Sequence, residues 1–266
     1  MNDINLINVR DNEGNIIQIE SLECVASTVE IARERAMSGV TDRYVVFSPK
    51  RLKPKTKSAK SSADLKTENG VFMSLILRPS IFPSQASLLG ALSATASALA
   101  LSEHTSKSIG IGWVSDIFCD GKKIGSCNIE GKLDNFATYE YIIITFSFVL
   151  GEEDFPPRLT DMIMQVFGSQ NSSIEMIIAK NLLNKFFRYY SNFKSSSKYM
   201  DVYSKLFIMR GLKVKYTFDQ AKETCKVLGI DEKNGALILE GSGGNVFTAS
   251  SPAFVQTPSK IRIKNK

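Results

Sequence analysis

The chain has 266 residues, 43% of them hydrophobic, enough for one large domain plus a small one around a proper core. A net charge of +6, four scattered cysteines (Cys24, Cys119, Cys127, Cys225) and one histidine, His104, give no zinc-ligand spacing, no disulfide framework and no central Ser-His or Cys-His arrangement. The start lacks a basic and apolar leader, and the longest low-polarity stretch, 86–101, is interrupted by Ser and Thr and too short for a bilayer, so a cytoplasmic protein with no membrane partner is expected.

Alternating residues over 4–9 and 16–20 around Asp11-Asn12-Glu13-Gly14 predict an opening hairpin. Ser27 caps a helix running to about Met37, with Glu30 completing a capping box and Ser38-Gly39 stopping it. A short strand over 44–47 precedes a basic, Ser-rich segment, 48–69, which has almost no apolar residues and reads as a mobile loop. Residues 71–77 form a strand ended by Pro79, and small and apolar residues over 84–101 describe a helix packed closely on a sheet. Trp113 falls in a further strand, with Asp116 three residues on; a tight turn at Asp120-Gly121 then presents Lys122 and Lys123 at the head of the next strand. Residues 139–150 are nearly all apolar, as in the middle of a sheet, and Ser172-Ser173 caps a helix ending near Phe193, where a Ser/Lys-rich linker begins. After Met209 four or five short strands, with hairpin turns at Lys233-Asn234-Gly235 and 241–245, make a small barrel. The fold class is α+β, a mixed sheet flanked by helices with a small C-terminal barrel.

The positive charge is concentrated. Lys50, Arg51, Lys53, Lys55, Lys57 and Lys60 lie within eleven residues, and Lys260, Arg262, Lys264 and Lys266 end the chain. Such runs are solvated loops and tails, or they hold phosphates or nucleic acid.

The layout of 70–79, then Gly112-Trp113-Val114-Ser115-Asp116-Ile117, then Asp120-Gly121-Lys122-Lys123-Ile124-Gly125, resembles the catalytic domain of biotin protein ligases, and 227–251 resembles their SH3-like C-terminal domain. The resemblance implies a catalytic domain over 1–208, an SH3-like β-barrel over 209–257 and a basic tail over 258–266. It also implies biotin, ATP and Mg²⁺ as ligands, no protein-held metal, and a biotin carboxyl carrier domain of a carboxylase as partner. Lys123 takes the place of the lysine that contacts biotin and the adenylate, and Asp116 that of the family's aspartate. Ser27 and Thr28 match a Ser-Thr pair beside biotin, although their capping role alone accounts for them. Lys50 joins them on the biotin side. Lys53, Lys55 and Lys57 stand where the family has a Gly-Arg-Gly-Arg-x-Gly-Arg loop around ATP; charge is kept there without glycine's turns or arginine's fork. Trp113 and Ser115 fall on the ATP side, Ser115 replacing an asparagine, while Trp113 equally suits a core. The family's Gly-Ile-Gly-Ile-Asn strand falls on 145–149, so Thr145 and Ser147 add side chains where a pocket floor needs none.

Three functions remain open on these residues. One is a ligase making biotinyl-adenylate and transferring biotin to a carrier lysine, with a lipoate-type acyl ligase as its near variant. Another is a non-catalytic binding or regulatory member with the same scaffold. The third is a nucleic-acid binder acting through the lysine-rich segments; that loop lacks interleaved aromatics, and no winged helix precedes residue 20, so operator binding is not expected.

Overall fold

A computed structural model describes residues 5–54, 65–81, 83, 86–151, 153–155, 173–193, 195–218 and 221–261. Eight strands form one sheet: β1 (Asn5–Arg10), β2 (Ile16–Ser21), β3 (Tyr44–Pro54), β4 (Leu65–Leu77), β5 (Ile109–Gly112), β6 (Asp116–Cys119), β7 (Lys122–Leu133) and β8 (Tyr139–Val149). Their spatial order is β1-β2-β3-β4-β8-β7-β6-β5. Among the strands of the described residues only the β2–β3 pair is parallel, and the crossover that a parallel pair requires is helix α1 (Thr28–Met37). Ser27 caps α1 by accepting from the Glu30 amide, and the chain leaves the helix through Gly39 at a φ of 85°, where only glycine is unstrained.

Helix α1 covers part of one sheet face, where Ala32 and Ala36 pack on Tyr44, Val46, Ile76 and Ile143. Helices α2 (Ala86–Ser102), α3 (Ile174–Tyr190) and α4 (Ser197–Leu206) cover the other. Helix α2 is buried nearly all round, with Ala91, Ala94, Ala98, Ser93 and Ser97 inside. Its small residues let it lie between the sheet and the other two helices, and the Ser97 hydroxyl returns a hydrogen bond to the Ser93 carbonyl at 2.7 Å. Among the described residues no helix is long and apolar enough to cross a membrane.

A second, five-stranded antiparallel sheet follows: β9 (Lys213–Phe218), β10 (Ala221–Ile230), β11 (Leu237–Glu240), β12 (Val246–Ala249) and β13 (Val255–Gln256), in the order β12-β11-β10-β9-β13. The two sheets share one apolar core. The Trp113 indole, 2% exposed, donates to the Gly235 carbonyl at 2.8 Å and bolts the large sheet to the small one.

Three sequence expectations are corrected. The segment 48–69 is not a loop throughout: β3 runs on to Pro54 and β4 begins at Leu65, so a ladder replaces both ends. Charged strands are stable there because Glu68 faces Arg51 across the ladder and pairs with both Arg51 and Lys53. The linker expected after Phe193 contains α4, whose Tyr199, Met200 and Tyr203 are buried at helical spacing while its serines and lysines face water. Trp113 lies in the turn between β5 and β6 rather than inside a strand.

Candidate functional site

Cross-strand register arranges the α1 side of the large sheet in rows. Tyr44, Ile76, Ile143 and Glu130 form a row beneath α1, with Arg33 of the helix reaching Glu130 at 2.8 Å. The next row is Val46, Ser74, Thr145 and Asn128, and the one after it is Ser48, Phe72, Ser147, Ser126 and Asp116. Helix α1 begins over the second row, so the third lies beyond its cover. The face therefore changes from apolar to polar at the helix N-terminus, the end that favours anions.

Where the second row meets α1, the Thr28 hydroxyl lies 2.9 Å from that of Ser74, which lies 3.0 Å from that of Thr145. Beside this chain, Arg51 donates to the Ser147 hydroxyl at 2.8 Å and to Glu68 at 2.9 Å, with its guanidinium over the Phe72 ring. Of these, Thr28, Arg51, Phe72, Thr145 and Ser147, with Ser27 and Asn128, line a cavity of about 170 Å³. Small-molecule sites usually span about 300–1,000 Å³. Thr145 and Ser147 are both part of the cavity's lining.

Asp116 ends the third row and forms an ion pair with Lys123, Nζ to Oδ1 2.7 Å; Thr257 donates to its other oxygen at 3.3 Å. Strict alternation from Ser126 would send Lys123 to the helix-covered face. An irregularity in the β6–β7 register, where Ile117 faces Gly125 but Phe118 faces Lys123, leaves Ile124 as the extra residue. That bulge buries Ile124 and returns Lys123 to the Asp116 side. Gly125, next in the strand, admits the close approach of β8: a Cβ there would stand 1.9 Å from the Ser147 carbonyl oxygen. By the usual spacing of neighbouring strands, Asp116 lies about 10 Å from Ser147, two strands away.

The other predicted residues are dispersed. Lys50 is exposed and turns outward, contributing its carbonyl to Ser48 Oγ and to the Val25 amide. Lys53 pairs with Glu68 at 3.3 Å, while Lys55 and Lys57 lie outside the described residues. Ser115 donates to the Cys127 carbonyl, and Trp113 is buried between the two sheets, away from the open face. Burial pushes the Cys127 thiol up to about 12, which removes it as a nucleophile. Among the described residues no cluster of ligating side chains suits a metal, and Asp116 is already paired with an ammonium, so the face does not fit a resident Mg²⁺.

Sequence reasoning missed Arg51, Ser74, Asn128 and Thr257. Arg51 is the one arginine in the lysine run; Ser74 and Asn128 are polar residues whose place depends on register; Thr257 comes from a distant segment.

No protein-family model and no curated protein sequence matches this chain. Solved structures do match. Biotin protein ligase from Aquifex aeolicus superposes with a TM-score of 0.61 at 17% identity, over 90% of this chain and 98% of that one. A biotin protein ligase-like protein of unknown function from a Silicibacter species gives 0.60 at 14% identity, over 91% and 96%. The biotin complex of the Leishmania major ligase gives 0.51 at 18% identity, over 88% and 98%. The chain therefore has the biotin protein ligase fold, a large mixed sheet flanked by helices with a second small sheet. At these identities the likeness defines the scaffold, and the site must be argued from its own residues.

Proposed function

We propose that this chain is an ATP-dependent, AMP-forming ligase of the biotin protein ligase type. One observation carries the reading: the Lys123–Asp116 pair stands at the end of the row that runs through Ser126 from Ser147 of the Thr28–Arg51 cavity, about 10 Å away, so a carboxylate ligand seated in the cavity can direct its acid group to Lys123. The carboxylate oxygen attacks the α-phosphorus of ATP, and pyrophosphate leaves. A carrier lysine then attacks the acyl carbon of the mixed anhydride, and AMP leaves. The Lys123 ammonium stabilises negative charge on the transferring groups, an effect worth about 3 kcal/mol in a closed site. Asp116 and Thr257 position it. Mg²⁺ would arrive with the ATP phosphates rather than on a protein site.

On this reading residues 1–208 are the catalytic domain, 209–257 an SH3-like barrel beside it, and the enzyme works in the cytoplasm on a biotin carboxyl carrier domain. The test is mass spectrometry of protein incubated with biotin, Mg²⁺ and ATP. Biotinyl-adenylate from the wild type and none from Lys123→Ala supports the ligase; equal yield from both removes Lys123 from the chemistry.

The small cavity favours a second reading, a non-catalytic binding member of the same fold. Thr145 and Ser147 occupy the floor, and about 170 Å³ is little room for a bicyclic ligand. A folded wild type that makes no adenylate supports this alternative.

A further inference from the structure

The cavity at the head of α1 is surrounded by more hydrogen-bond donors than the protein itself satisfies. Arg51 gives one nitrogen to Ser147 and another to Glu68, which leaves its Nε buried and without an acceptor among the described residues. Ser147 accepts from Arg51 and keeps its own hydroxyl proton to donate. Thr28, Ser74 and Thr145 are joined hydroxyl to hydroxyl by two hydrogen bonds, so one of their three protons remains unspent. Ser74 is fully buried, and the two ends of that chain, Thr28 and Thr145, are the ones that line the cavity.

Volume and polarity together restrict what completes this lining. At the roughly 30 Å³ that each molecule takes in liquid water, a cavity of about 170 Å³ has room for about five or six groups of that size. A fused bicycle such as biotin's exceeds that room. An alkyl end would fit by volume but would leave the Arg51 Nε and the hydroxyl protons unpaired, and buried donors are rarely left so. The complement is a compact head with an accepting oxygen, as in an amide, lying beside Phe72. From Ser147 the row runs over Ser126 to Asp116 and Lys123, about 10 Å, which an extended chain covers in about eight bonds at roughly 1.2 Å per bond.

We infer that the acid this site takes is smaller than biotin: a straight-chain carboxylate whose far end is a compact, hydrogen-bond-accepting head. The inference rests on the ligase reading for the reaction and changes only the acid. Its carboxylate oxygen attacks the α-phosphorus of ATP and pyrophosphate leaves, so Lys123 meets the same charge as with biotin. Arg51 sets the specificity for the head through Nε, and Thr145 and Ser147 limit its size.

The test uses the full-length protein and three acids: suberamate, a straight-chain acid ending in a primary amide; octanoate, of the same length with a methyl end; and biotin. Calorimetry reads binding, and mass spectrometry with ATP and Mg²⁺ reads the acyl-adenylate. Suberamate should bind at least about tenfold more tightly than either other acid and be the one that accumulates as adenylate, and Arg51→Met should bring suberamate and octanoate to equal affinity. Biotin bound as tightly as suberamate overturns the limit on size. Octanoate bound as tightly overturns the polar head, and binding of none of the three overturns the whole assignment. A preference that survives in Arg51→Met removes Arg51 as its source. If suberamate binds as expected and no acid yields an adenylate, the ligase reading fails by itself, and the assignment stands as that of a binding protein.

Discussion

The two faces of the large sheet follow different rules. On the face covered by α2, α3 and α4, Phe47, Met73, Leu75, Ile142, Ile144, Phe146 and Phe148 are all at or near zero exposure, and each is held by several neighbours. On the α1 face the apolar cluster is small, built on Ala32 and Ala36, and the rows beyond it mix Val46 and Phe72 with Ser, Thr, Asn and Asp. The first face keeps its shape through many interchangeable contacts. The second depends on single side chains, so substitutions there alter what binds before they alter whether the chain folds.

The most severe test of this contrast is Phe146→Ala. Phe146 has no exposed surface and meets Phe186 edge-on at 6.2 Å, and its removal should cost about 4 kcal/mol in urea unfolding. A loss under about 1 kcal/mol would mean that the covered face is not the principal source of stability.

Glu20→Gln probes the α1 face, where a buried charge beside Val46 anchors the helix. Glu20 is 1% exposed, accepts two bonds from Arg35 at 2.7 and 2.8 Å and one from the Tyr44 hydroxyl at 2.9 Å. Leaving Arg35 without its carboxylate should cost about 3 kcal/mol. The Arg35 guanidinium, helped by Tyr44, holds the carboxyl below its ordinary 4.5, while burial and the carboxylate push Tyr44 up to about 12. Because the folded pKa is the depressed one, the stabilisation is complete above about pH 4.5 and is lost as pH falls through the folded value. Acid unfolding of the wild type should therefore be steeper than that of Glu20→Gln; parallel curves would remove Glu20 as the acid-sensitive group.

The same contrast explains what was legible in the sequence. Hairpins at Asp11–Gly14 and Asp120–Gly121, the Ser27 cap and the apolar β8 strand were readable because each is set by local pattern; Asp120 and Gly121 indeed have φ of 45° and 76°. Helix α4 was hidden because its serines and lysines dilute the Tyr199–Tyr203 stripe. The ladder over 48–69 was hidden because its strands are held by Glu68 facing two cations rather than by apolar alternation. In the candidate site, Lys123 and Asp116 stand out in the sequence only as residues, and their meeting depends on the bulge at Ile124, which alternation alone does not reveal. In the sequence Arg51 is one charge in a run; its place opposite Glu68 and beside Ser147 separates it from the lysines.

The smallest expected change in stability carries the largest expected change in binding. Replacing Thr145 and Ser147 together with glycine removes the hydroxyl shared with Ser74 and the acceptor of Arg51, and adds backbone freedom to a central strand, for a cost of about 2 kcal/mol. It also opens the floor of a cavity now limited to about 170 Å³. If these two side chains set the size of the ligand, calorimetry should find biotin bound at least about tenfold more tightly by the double variant than by the wild type. Thr145→Val, which keeps the bulk and loses only the hydroxyl, should show no such gain. Equal affinities in the wild type and the double variant would place the ligand elsewhere on the open face. A gain in Thr145→Val alone would mean that the hydroxyl chain from Thr28 through Ser74, rather than the volume of the floor, holds the ligand out.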